Sequence, residues 1–589
     1  MSEPEVLREL GPLEAFLASV SDAPFLALDT ETSGLDPHKD RVLLLQVGTA
    51  TRQVLVDAAA VGPEAIRAIF DDRLIVMHNA SFDLKMLMAT YGDAAGLRSA
   101  RVGDSQTCEQ LLRNGRRSDV VMQGYSLKAL AERYAGMELD KSIRQGFYGI
   151  QSLSELSSTE LHYALRDVEA TWKVFASQLP ELERDGLTRV AGIEGAAAPA
   201  FAELELTGFP VDVDAWGSRL AEARGRSEST RRALDWEFRE VADRDLFGGS
   251  TLNFDSDEEV LEALGRLGIR VQSTRRDALM ATGHPAAAAV AAHREQQKIV
   301  STYGESFIAL AHEVTGRLHP RFKAIGAQTG RSACSEPNLQ NIPSDSSFRS
   351  CFRAAEGRVL VTADYAGAEL RILAEMSEDP VFSRAFMDGL DLHAAVASRL
   401  FGRRVDKESE PELRARAKAI NFGLAYGMGA GGLAAQLGIP EREAEQLMQA
   451  HFRAFPRIRA FLEDAARQAL RRGFGETMAG RKLWFTDMRR DGRDEGTLTR
   501  IAKNMPIQGT NADITKIALA RLVRAFAREG LKARLVNMVH DEIVVELPEA
   551  EGEAGAEILR KEMIAAGAAL LRKTPVEVDV MTSPSWTKG

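Results

Sequence analysis

Short apolar runs typical of β-strands occur near both ends of this chain, and that placement limits the folds it can adopt. The first group comprises residues 25–28, 42–47 and 74–77. Helical patterns follow them at residues 126–134 and 157–179. Strands followed by helices predict a mixed sheet with flanking helices, so the sequence indicates an α/β fold.

The pattern changes near residue 185, which we take as the first domain boundary. From there to about residue 310 the chain is mostly helical by pattern. Strand-like runs return at residues 359–363 and 535–539, and a helical block at residues 380–472 separates them. We therefore expect a second, mixed α+β domain in which helices are inserted between two strands of one sheet.

Composition excludes several classes of protein. Of the 589 residues, 45% are apolar and 27% are charged, which is ordinary for a soluble globular protein. No apolar run reaches about 18 residues and the N-terminus is acidic, so we expect no membrane span, no signal peptide and a cytoplasmic location. Three cysteines without a CxxC pair argue against a disulfide scaffold or a cysteine-rich zinc site.

The net charge of −11 by itself opposes binding to nucleic acid, because neutralisation of phosphates drives such binding. Net charge is an average over the whole surface, however. Between residues 317 and 353, six basic residues stand against two acidic ones. A local basic groove on an acidic protein therefore remains compatible with a nucleic-acid partner.

Carboxylates from three places in the first 180 residues form a first candidate site. Asp29 and Glu31 lie two apart on a predicted strand and face the same side. Asp83 follows a strand-like run, and Tyr163 and Asp167 lie four apart on one helix face. Taken one at a time, the same residues also fit simpler structural roles. The acidic pair would be a solvated strand end, Asp83 a helix N-cap and Tyr163 a half-buried core tyrosine. Together they supply the oxygen ligands that two hard cations need to activate a water molecule.

The motifs Asp-x-Glu, Asn-x-x-Phe-Asp and Tyr-x-x-x-Asp resemble, in order and spacing, those of the proofreading 3′–5′ exonucleases. The resemblance implies a ribonuclease H-like exonuclease domain over residues 1–185. It also implies a role for each residue, with the tyrosine hydroxyl orienting the attacking water. The implied metal ligands are Asp29, Glu31, Asp83 and Asp167, and the implied tyrosine is Tyr163.

A second candidate site draws carboxylates from two strands in the later part of the chain. Asp364 ends the apolar run at residues 359–363, and His540-Asp541-Glu542 lies at the tip of a predicted hairpin. Solubility alone also explains a charged hairpin tip. An aspartate from each of two strands is nevertheless the minimum that bridges two Mg²⁺ ions for phosphoryl transfer.

Four residues spaced by four lie between these carboxylates and form one stripe of a predicted helix. They are Arg414, Lys418, Phe422 and Tyr426. Two cations can hold a triphosphate, and an aromatic ring can stack on a base. A solvated basic face is the alternative interpretation, and the two aromatic residues on the stripe weigh against it.

Six motifs in order resemble the family A DNA polymerases, of the bacterial DNA polymerase I type. They lie at residues 329–343, 364–371, 391–393, 414–427, 500–510 and 540–542. The resemblance begins near residue 22 and implies a right-hand polymerase domain over residues 186–589, with a thumb (about 190–315), a palm (about 316–380 and 495–589) and fingers (about 381–494). Only 28 residues precede Asp29, so we expect the 5′-nuclease domain of the full-length bacterial enzymes to be absent.

The resemblance assigns the reaction itself to a few residues. Asp364 and Asp541 would hold two Mg²⁺ ions, for which Mn²⁺ can substitute, and Glu542 would support them. Lys418 and Arg414 would bind the triphosphate, and Lys418 would protonate the leaving pyrophosphate. The implied partners are primer–template DNA and dNTPs.

Other residues are implied to select the nucleotide and to hold the DNA. His393 would contact a phosphate, Phe422 would stack on the incoming nucleotide and Tyr426 would border the template slot. Glu369 would block a ribose 2′-OH. Phe422 stands where some relatives carry tyrosine, which predicts discrimination against dideoxynucleotides. The implied minor-groove residues are Arg331, Arg500, Asn504, Gln508 and His540.

Three other classes of protein share part of this pattern. Glu369 and the exonuclease set argue against a single-subunit RNA polymerase. The pair Asp364 and Asp541, together with Lys418, argues against an exonuclease whose C-terminal half only binds DNA. Two complete carboxylate sets argue against a non-catalytic nucleic-acid-binding protein. We therefore expect a template-directed DNA polymerase with its own proofreading site.

Overall fold

The computed structural model describes residues 4–116, 124–150, 152–243, 251–343, 347–425, 427–490 and 494–587. Within these ranges the predicted mixed α/β class is confirmed, with one sheet of four or more strands in each half of the chain. Each helix in the described ranges is too short or too polar to span a bilayer. The three cysteines are buried and form no disulfide.

A six-stranded mixed sheet forms the first half, in the strand order β1-β4-β3-β2-β5-β6. Strand β2 runs antiparallel to β3 and parallel to β5. The strands are β1 (Val6–Leu7), β2 (Leu26–Thr32), β3 (Val42–Gly48), β4 (Gln53–Asp57), β5 (Leu74–Met77) and β6 (Arg101–Asp104). The helices are α1 (Leu10–Ser19), α2 (Pro63–Phe70), α3 (Ala80–Tyr91), α4 (Ser105–Arg113), α5 (Leu127–Ala135) and α6 (Ser158–Arg184).

The central strand β2 continues through the first acidic pair. The sequence placed the acidic pair at the end of this strand, and β2 does end just beyond it, at Thr32. In the structure Asp29 pairs with Gln46 and Glu31 pairs with Leu44 of the neighbouring strand β3. The backbone of the acidic residues therefore completes the sheet, and their side chains are held by a rigid central strand.

A helical region follows, as predicted, and its first helix joins the two halves. Helix α7 (Thr188–Thr207) packs on β6 and α3 of the first half and on the long helix that follows in the second half. Its Glu194 is buried and accepts hydrogen bonds from Arg481 and Lys516, both at 2.5 Å. The later helices are α8 (Val213–Glu237), α9 (Asp257–Arg266), α10 (Arg276–Met280), α11 (Pro285–Thr302) and α12 (Glu305–Ile308).

A four-stranded antiparallel sheet lies at the centre of the second half, in the order β14-β15-β11-β16. The two predicted strands belong to this sheet, as expected, and β15 lies between them. Its strands are β11 (Arg358–Tyr365), β14 (Arg534–Val539), β15 (Glu542–Pro548) and β16 (Val578–Ser583). Short pairs are formed by β7 (Phe209–Pro210), β8 (Arg317–Leu318), β9 (Arg321–Lys323), β10 (Ala333–Ser335), β12 (Phe474–Glu476) and β13 (Lys482–Trp484).

The helical block between β11 and β14 matches the predicted insertion. Its last helix, α21, runs for 34 residues and packs beside α22. The helices of the block are α13 (Ala368–Ser377), α14 (Pro380–Met387), α15 (Leu392–Phe401), α16 (Pro411–Ala425), α17 (Ala430–Leu437), α18 (Glu441–Ala454), α19 (Pro456–Arg472), α20 (Thr486–Arg490) and α21 (Glu495–Arg528), and α22 (Gly552–Ala568) follows β15. The division into thumb, palm and fingers, and the boundary at residue 185, stay predictions.

Candidate active sites

Three carboxylates of the first candidate site converge in the structure. Oxygens of Asp29, Glu31 and Asp167 lie within 4.8 Å of one another. The first two project from β2 because residues two apart on a strand share a face, and the third projects from α6. Asp83, in the first turn of α3, accepts a 2.7 Å hydrogen bond from Thr30 Oγ1 and is buried beside them.

Burial and mutual repulsion oppose ionisation of these carboxylates. Burial raises the pKa of Asp29 to about 7, and the charge of Asp167 adds to the shift. Burial, followed by repulsion from Asp29, also raises the pKa of Glu31 and that of Asp83 well above the ordinary range. Such a cluster is stable as a set of anions when positive charge lies among them.

One positive charge comes from a residue that the sequence reasoning missed. Lys141 Nζ lies 2.6 Å from Asp167 Oδ2 and 3.2 Å from the hydroxyl of Tyr163. Burial, and then the charge of Asp167, raises the pKa of Tyr163, so its hydroxyl keeps its proton at neutral pH. Lys141 belongs to no motif, and only the tertiary fold brings it to this site.

The donor set fits a hard divalent cation. Asp167 Oδ1 is buried and accepts no hydrogen bond from the described residues. Carboxylate oxygens are the ligands that Mg²⁺ prefers, and a cation relieves the repulsion that raises the pKa values. The carboxylates line a cavity of about 820 Å³, whose opposite wall includes Arg321, Phe322 and Lys323 of the second half.

The cluster predicts that stability and metal binding depend on pH. Because folding raises the pKa of Asp29, the stability that its protonation contributes is fully present below the unfolded pKa of about 4. It is lost as the pH rises through about 7. The metal-free protein should therefore melt at a lower temperature at pH 8 than at pH 6, and Mg²⁺ should raise the melting temperature more at pH 8. Thermal melts with EDTA or Mg²⁺ measure this, and an equal Mg²⁺ effect at both pH values would contradict it.

One aspartate of the second candidate site lies on a strand and the other on the turn beside it. Asp364 of β11 is the cross-strand partner of Glu542 of β15, and Asp541 occupies the turn between β14 and β15. His540 has a left-handed φ of 56°, which turns the chain sharply before Asp541. Burial raises the pKa of Asp541 to about 7, and the charges of Asp364 and then Glu369 add to the shift.

Glu542 makes contacts that the sequence did not indicate. Its carboxylate accepts a 3.1 Å hydrogen bond from Arg349 Nη1 and a 2.5 Å hydrogen bond from Trp586 Nε1. Both partners are buried, and Arg349 also stacks on the Trp586 ring at 3.7 Å. Glu542 therefore ties the hairpin to the C-terminal segment, next to the aspartates.

The predicted basic stripe lies on α16. Arg414 Nε donates to Asp391 Oδ2 at 2.7 Å, Lys418 is exposed, and the Phe422 ring lies 5.7 Å from the ring of His393. Asp391 caps α15, so this ion pair links α15 to α16. Tyr426, the last residue of the predicted stripe, lies outside the described residues.

The residues implied to contact DNA lie on several elements of the second half. Arg331 Nη2 donates to Glu369 Oε1, so two residues with separate implied roles form one ion pair. The hairpin tip is held on α21, because Thr515 Oγ1 donates to the carbonyl of His540 at 3.3 Å. Three further implied residues are spaced by four along α21 and share a face. They are Arg500, Asn504 and Gln508.

Comparisons with known proteins agree with both halves of this description. Residues 5–183 match the family model described as 3′–5′ exonuclease, and residues 228–588 match the model described as DNA polymerase family A. The chain therefore belongs to DNA polymerase family A and carries a 3′–5′ exonuclease domain. The resemblance seen in the sequence is thereby confirmed.

Individual relatives place the chain among the bacterial DNA polymerases I. It is 32% identical to DNA polymerase I of Aquifex aeolicus (strain VF5), covering 98% of each chain. It is 30% identical to that of Chloroflexus aurantiacus (strain ATCC 29366 / DSM 635 / J-10-fl), covering 99% of this chain and 63% of the relative. It is 37% identical to the thermostable DNA polymerase I of Thermus aquaticus over 67% of this chain and 48% of the relative. The chain thus spans less than two thirds of the last two relatives.

A solved structure shares the whole architecture. The POL domain of Pol1 from M. smegmatis, in complex with DNA primer-template and dNTP, superposes with a TM-score of 0.81 at 28% identity. The match covers 99% of each chain. Both candidate sites therefore lie within the region of shared fold.

Proposed function

We propose that the chain extends a DNA primer along a template with dNTPs and removes nucleotides from mispaired 3′ ends at a separate site. One observation carries this proposal: the same chain holds a carboxylate cluster in a nuclease-type domain and a pair of aspartates in a polymerase-type sheet. The solved relative with primer-template and dNTP supports the same ligands for this chain.

In the polymerase site, Asp364 and Asp541 would hold divalent cations, which, when bound, neutralise charge on the reacting phosphates. Lys418 and Arg414 bind the triphosphate, and the ion pair of Arg414 with Asp391 fixes the guanidinium. The primer 3′-OH attacks the α-phosphate, and pyrophosphate leaves with a proton from Lys418. Positioning and charge stabilisation supply most of the catalysis.

Selection of the substrate follows from residues around this site. Glu369 excludes a ribose 2′-OH, and Arg331 holds its carboxylate in place. The residues implied to line the minor groove read acceptors that are similar in all base pairs, so they test the geometry of the pair rather than its sequence. Closure of the inserted helices over a correct pair completes the selection.

In the exonuclease site, Asp29, Glu31, Asp83 and Asp167 would hold divalent cations, whose chemistry is to lower the pKa of water and to stabilise the leaving 3′ oxygen. Tyr163 orients the attacking water through its protonated hydroxyl, and Lys141 fixes both Tyr163 and Asp167. A mispaired primer end frays and enters the cavity of about 820 Å³ as a single strand.

A labelled primer–template tests both activities in one experiment. With Mg²⁺ and dNTPs the primer should lengthen to the template end, and without dNTPs it should shorten. Replacement of dNTPs by rNTPs should stop extension, which separates this proposal from an RNA polymerase. Shortening alone under all conditions would mean that the second half only binds DNA, and the roles of Asp364, Lys418 and Asp541 would be withdrawn.

Phe422 predicts discrimination against dideoxynucleotides. A ddNTP lacks the 3′-OH, and a phenyl ring offers no hydrogen bond in its place. Phe422→Tyr adds a hydroxyl and should raise the frequency of ddNTP termination about tenfold, the effect of one hydrogen bond. Termination is measured at a fixed ddNTP:dNTP ratio, with Phe401→Tyr on α15 as the control. Ready use of ddNTPs by the unaltered protein would contradict this prediction.

A further inference from the structure

Three polar side chains form a hydrogen-bonded series across three helices, next to the residues proposed to bind the triphosphate. His393 Nδ1 lies 3.1 Å from Asn421 Nδ2, and Asn421 Oδ1 lies 3.2 Å from His451 Nε2. The three residues belong to α15, α16 and α18 respectively. Asn421 and His451 are each only 1% exposed. Nothing in the sequence pattern singled out either residue.

The surroundings of His451 determine where its proton lies. Its ring packs against Phe455 at 4.6 Å and against Phe382 at 6.4 Å, and burial lowers its pKa to about 3, so the ring is neutral. Its Nδ1 is buried without a hydrogen-bond partner in the described part of the chain. A buried N–H without an acceptor is rarer and costlier than a buried lone pair without a donor. The proton therefore lies on Nε2 and is donated to Asn421.

The orientation of the Asn421 amide follows from that donation. An amide has an acceptor end and a donor end, so its oxygen faces His451 and its nitrogen faces His393. The nitrogen donates to His393 Nδ1, which must then present a lone pair. Burial, followed by the charge of Arg414, lowers the pKa of His393 to about 4, so this ring is also neutral. Its single proton is left on Nε2.

We propose that Asn421 and His451 are positioning residues, which hold His393 as the Nε2–H tautomer so that it donates a hydrogen bond to a phosphate oxygen of the incoming nucleotide. The opposite tautomer would present a lone pair to the anion and repel it. The phosphate contact rests on the proposed function, whereas the tautomer rests on geometry alone. An apolar side chain at position 451 would fill the same space but would leave the amide free to turn.

Nitrogen-15 NMR of the full-length protein with labelled histidine reads the tautomer directly. The resonances of His393 are assigned by their loss in His393→Gln. The unaltered protein should show a protonated Nε2 and an unprotonated Nδ1 at this residue. His451→Phe removes the donor, and His393 should then become a mixture of tautomers. Single-turnover extension with that variant should show about tenfold weaker dNTP binding, the effect of one hydrogen bond, with less than about twofold change in the maximal rate.

Two further variants separate positioning from packing. His451→Gln keeps an N–H donor and should restore both the spectrum and the dNTP affinity to within about twofold, since one hydrogen bond is retained. Asn421→Asp offers only acceptors, so it should force the proton of His393 onto Nδ1 even if His451→Phe folds poorly. His293→Phe removes a buried histidine of α11, far along the chain, and should alter neither readout.

The possible failures are distinguishable. A wild-type His393 with its proton on Nδ1, or an unchanged His393 spectrum in both His451→Phe and Asn421→Asp, would overturn the proposal. A spectrum that changes as expected, with a His393→Phe variant that binds dNTP normally, would overturn the phosphate contact and leave the tautomer assignment standing. In that case the fault would lie in the proposed function of His393.

Discussion

Replacement of both Asp29 and Glu31 by alanine is expected to abolish 3′-end degradation while primer extension continues at its normal rate. The variant loses two of the three carboxylates that lie within 4.8 Å of one another, and Asp167 with Asp83 supplies too few ligands for a pair of cations. A loss of roughly three orders of magnitude, or about 4 kcal/mol of transition-state stabilisation, is expected. The measurement is the rate at which a labelled single strand shortens with Mg²⁺.

The same variant should not be less stable than the parent. The pKa values of both carboxylates are raised by burial and by neighbouring charge, so their removal relieves repulsion in the metal-free protein at neutral pH. Thermal melts with EDTA should show an equal or higher melting temperature. Glu9→Ala with Glu14→Ala, two exposed residues at the N-cap of α1 and within it, is the matched control and should change neither activity. Continued degradation by the Asp29→Ala, Glu31→Ala variant would refute the site.

The sequence predicted well which residues share a face of one strand or one helix. Asp29 and Glu31 share a face because strand geometry repeats every two residues, and Tyr163 and Asp167 share one because a helix repeats about every four. The stripe of α16 follows from the same helical spacing. Such sets need only the correct local structure in order to converge, so the sequence alone indicates them.

Residues that join separate elements were missed. Lys141 reaches Asp167, and Arg349 and Trp586 reach Glu542, from segments with no motif. Asn421 lies between two residues of the predicted stripe in the sequence, and its amide reaches His393 and His451 on two other helices. These partners depend on tertiary packing, and no periodicity in the chain records which helices or loops will meet.

Element boundaries shift slightly where hydrogen bonding or packing overrides the pattern. Strand β2 ends at Thr32, one residue beyond the predicted end at Glu31, and β3 pairs with its acidic residues although acids are poor strand formers. In the region predicted to be mostly helical, α8 ends at Glu237. There Phe238 is fully buried against the Phe254 ring at 5.3 Å, so tertiary packing replaces a further helical turn.

Both sites depend on how the halves are held together. Arg481 is fully buried and donates to Glu194 of α7 and, at 2.8 Å, to Asp513 of α21. Lys516 of α21 also donates to Glu194, and its backbone acceptor Gly330 directly precedes Arg331. A buried charge that loses its partner is costly, so this network resists separation of the domains. The separation between the two candidate sites is accordingly fixed.

The substitution Asp541→Asn is expected to reverse the direction in which the primer changes length. The amide removes one of the two aspartate charges that would hold cations beside the triphosphate. Primer extension should fall by roughly three orders of magnitude, or about 4 kcal/mol. The exonuclease site is unaffected, so the primer should shorten even when dNTPs are present.

The melting temperature distinguishes a loss of primer extension at the active site from unfolding of the variant. The pKa of Asp541 is raised to about 7 by burial and by Asp364, so the neutral amide relieves repulsion and should leave the melting temperature equal or higher at pH 8. Asp388→Asn, an exposed residue after α14, is the matched control and should extend primers normally. Extension by Asp541→Asn at more than about a tenth of the parent rate, an effect below 1.4 kcal/mol, would show that Asp541 does not hold the reacting charge. Because the exonuclease continues in the same tube, its activity reports that the variant protein is folded and bound to DNA.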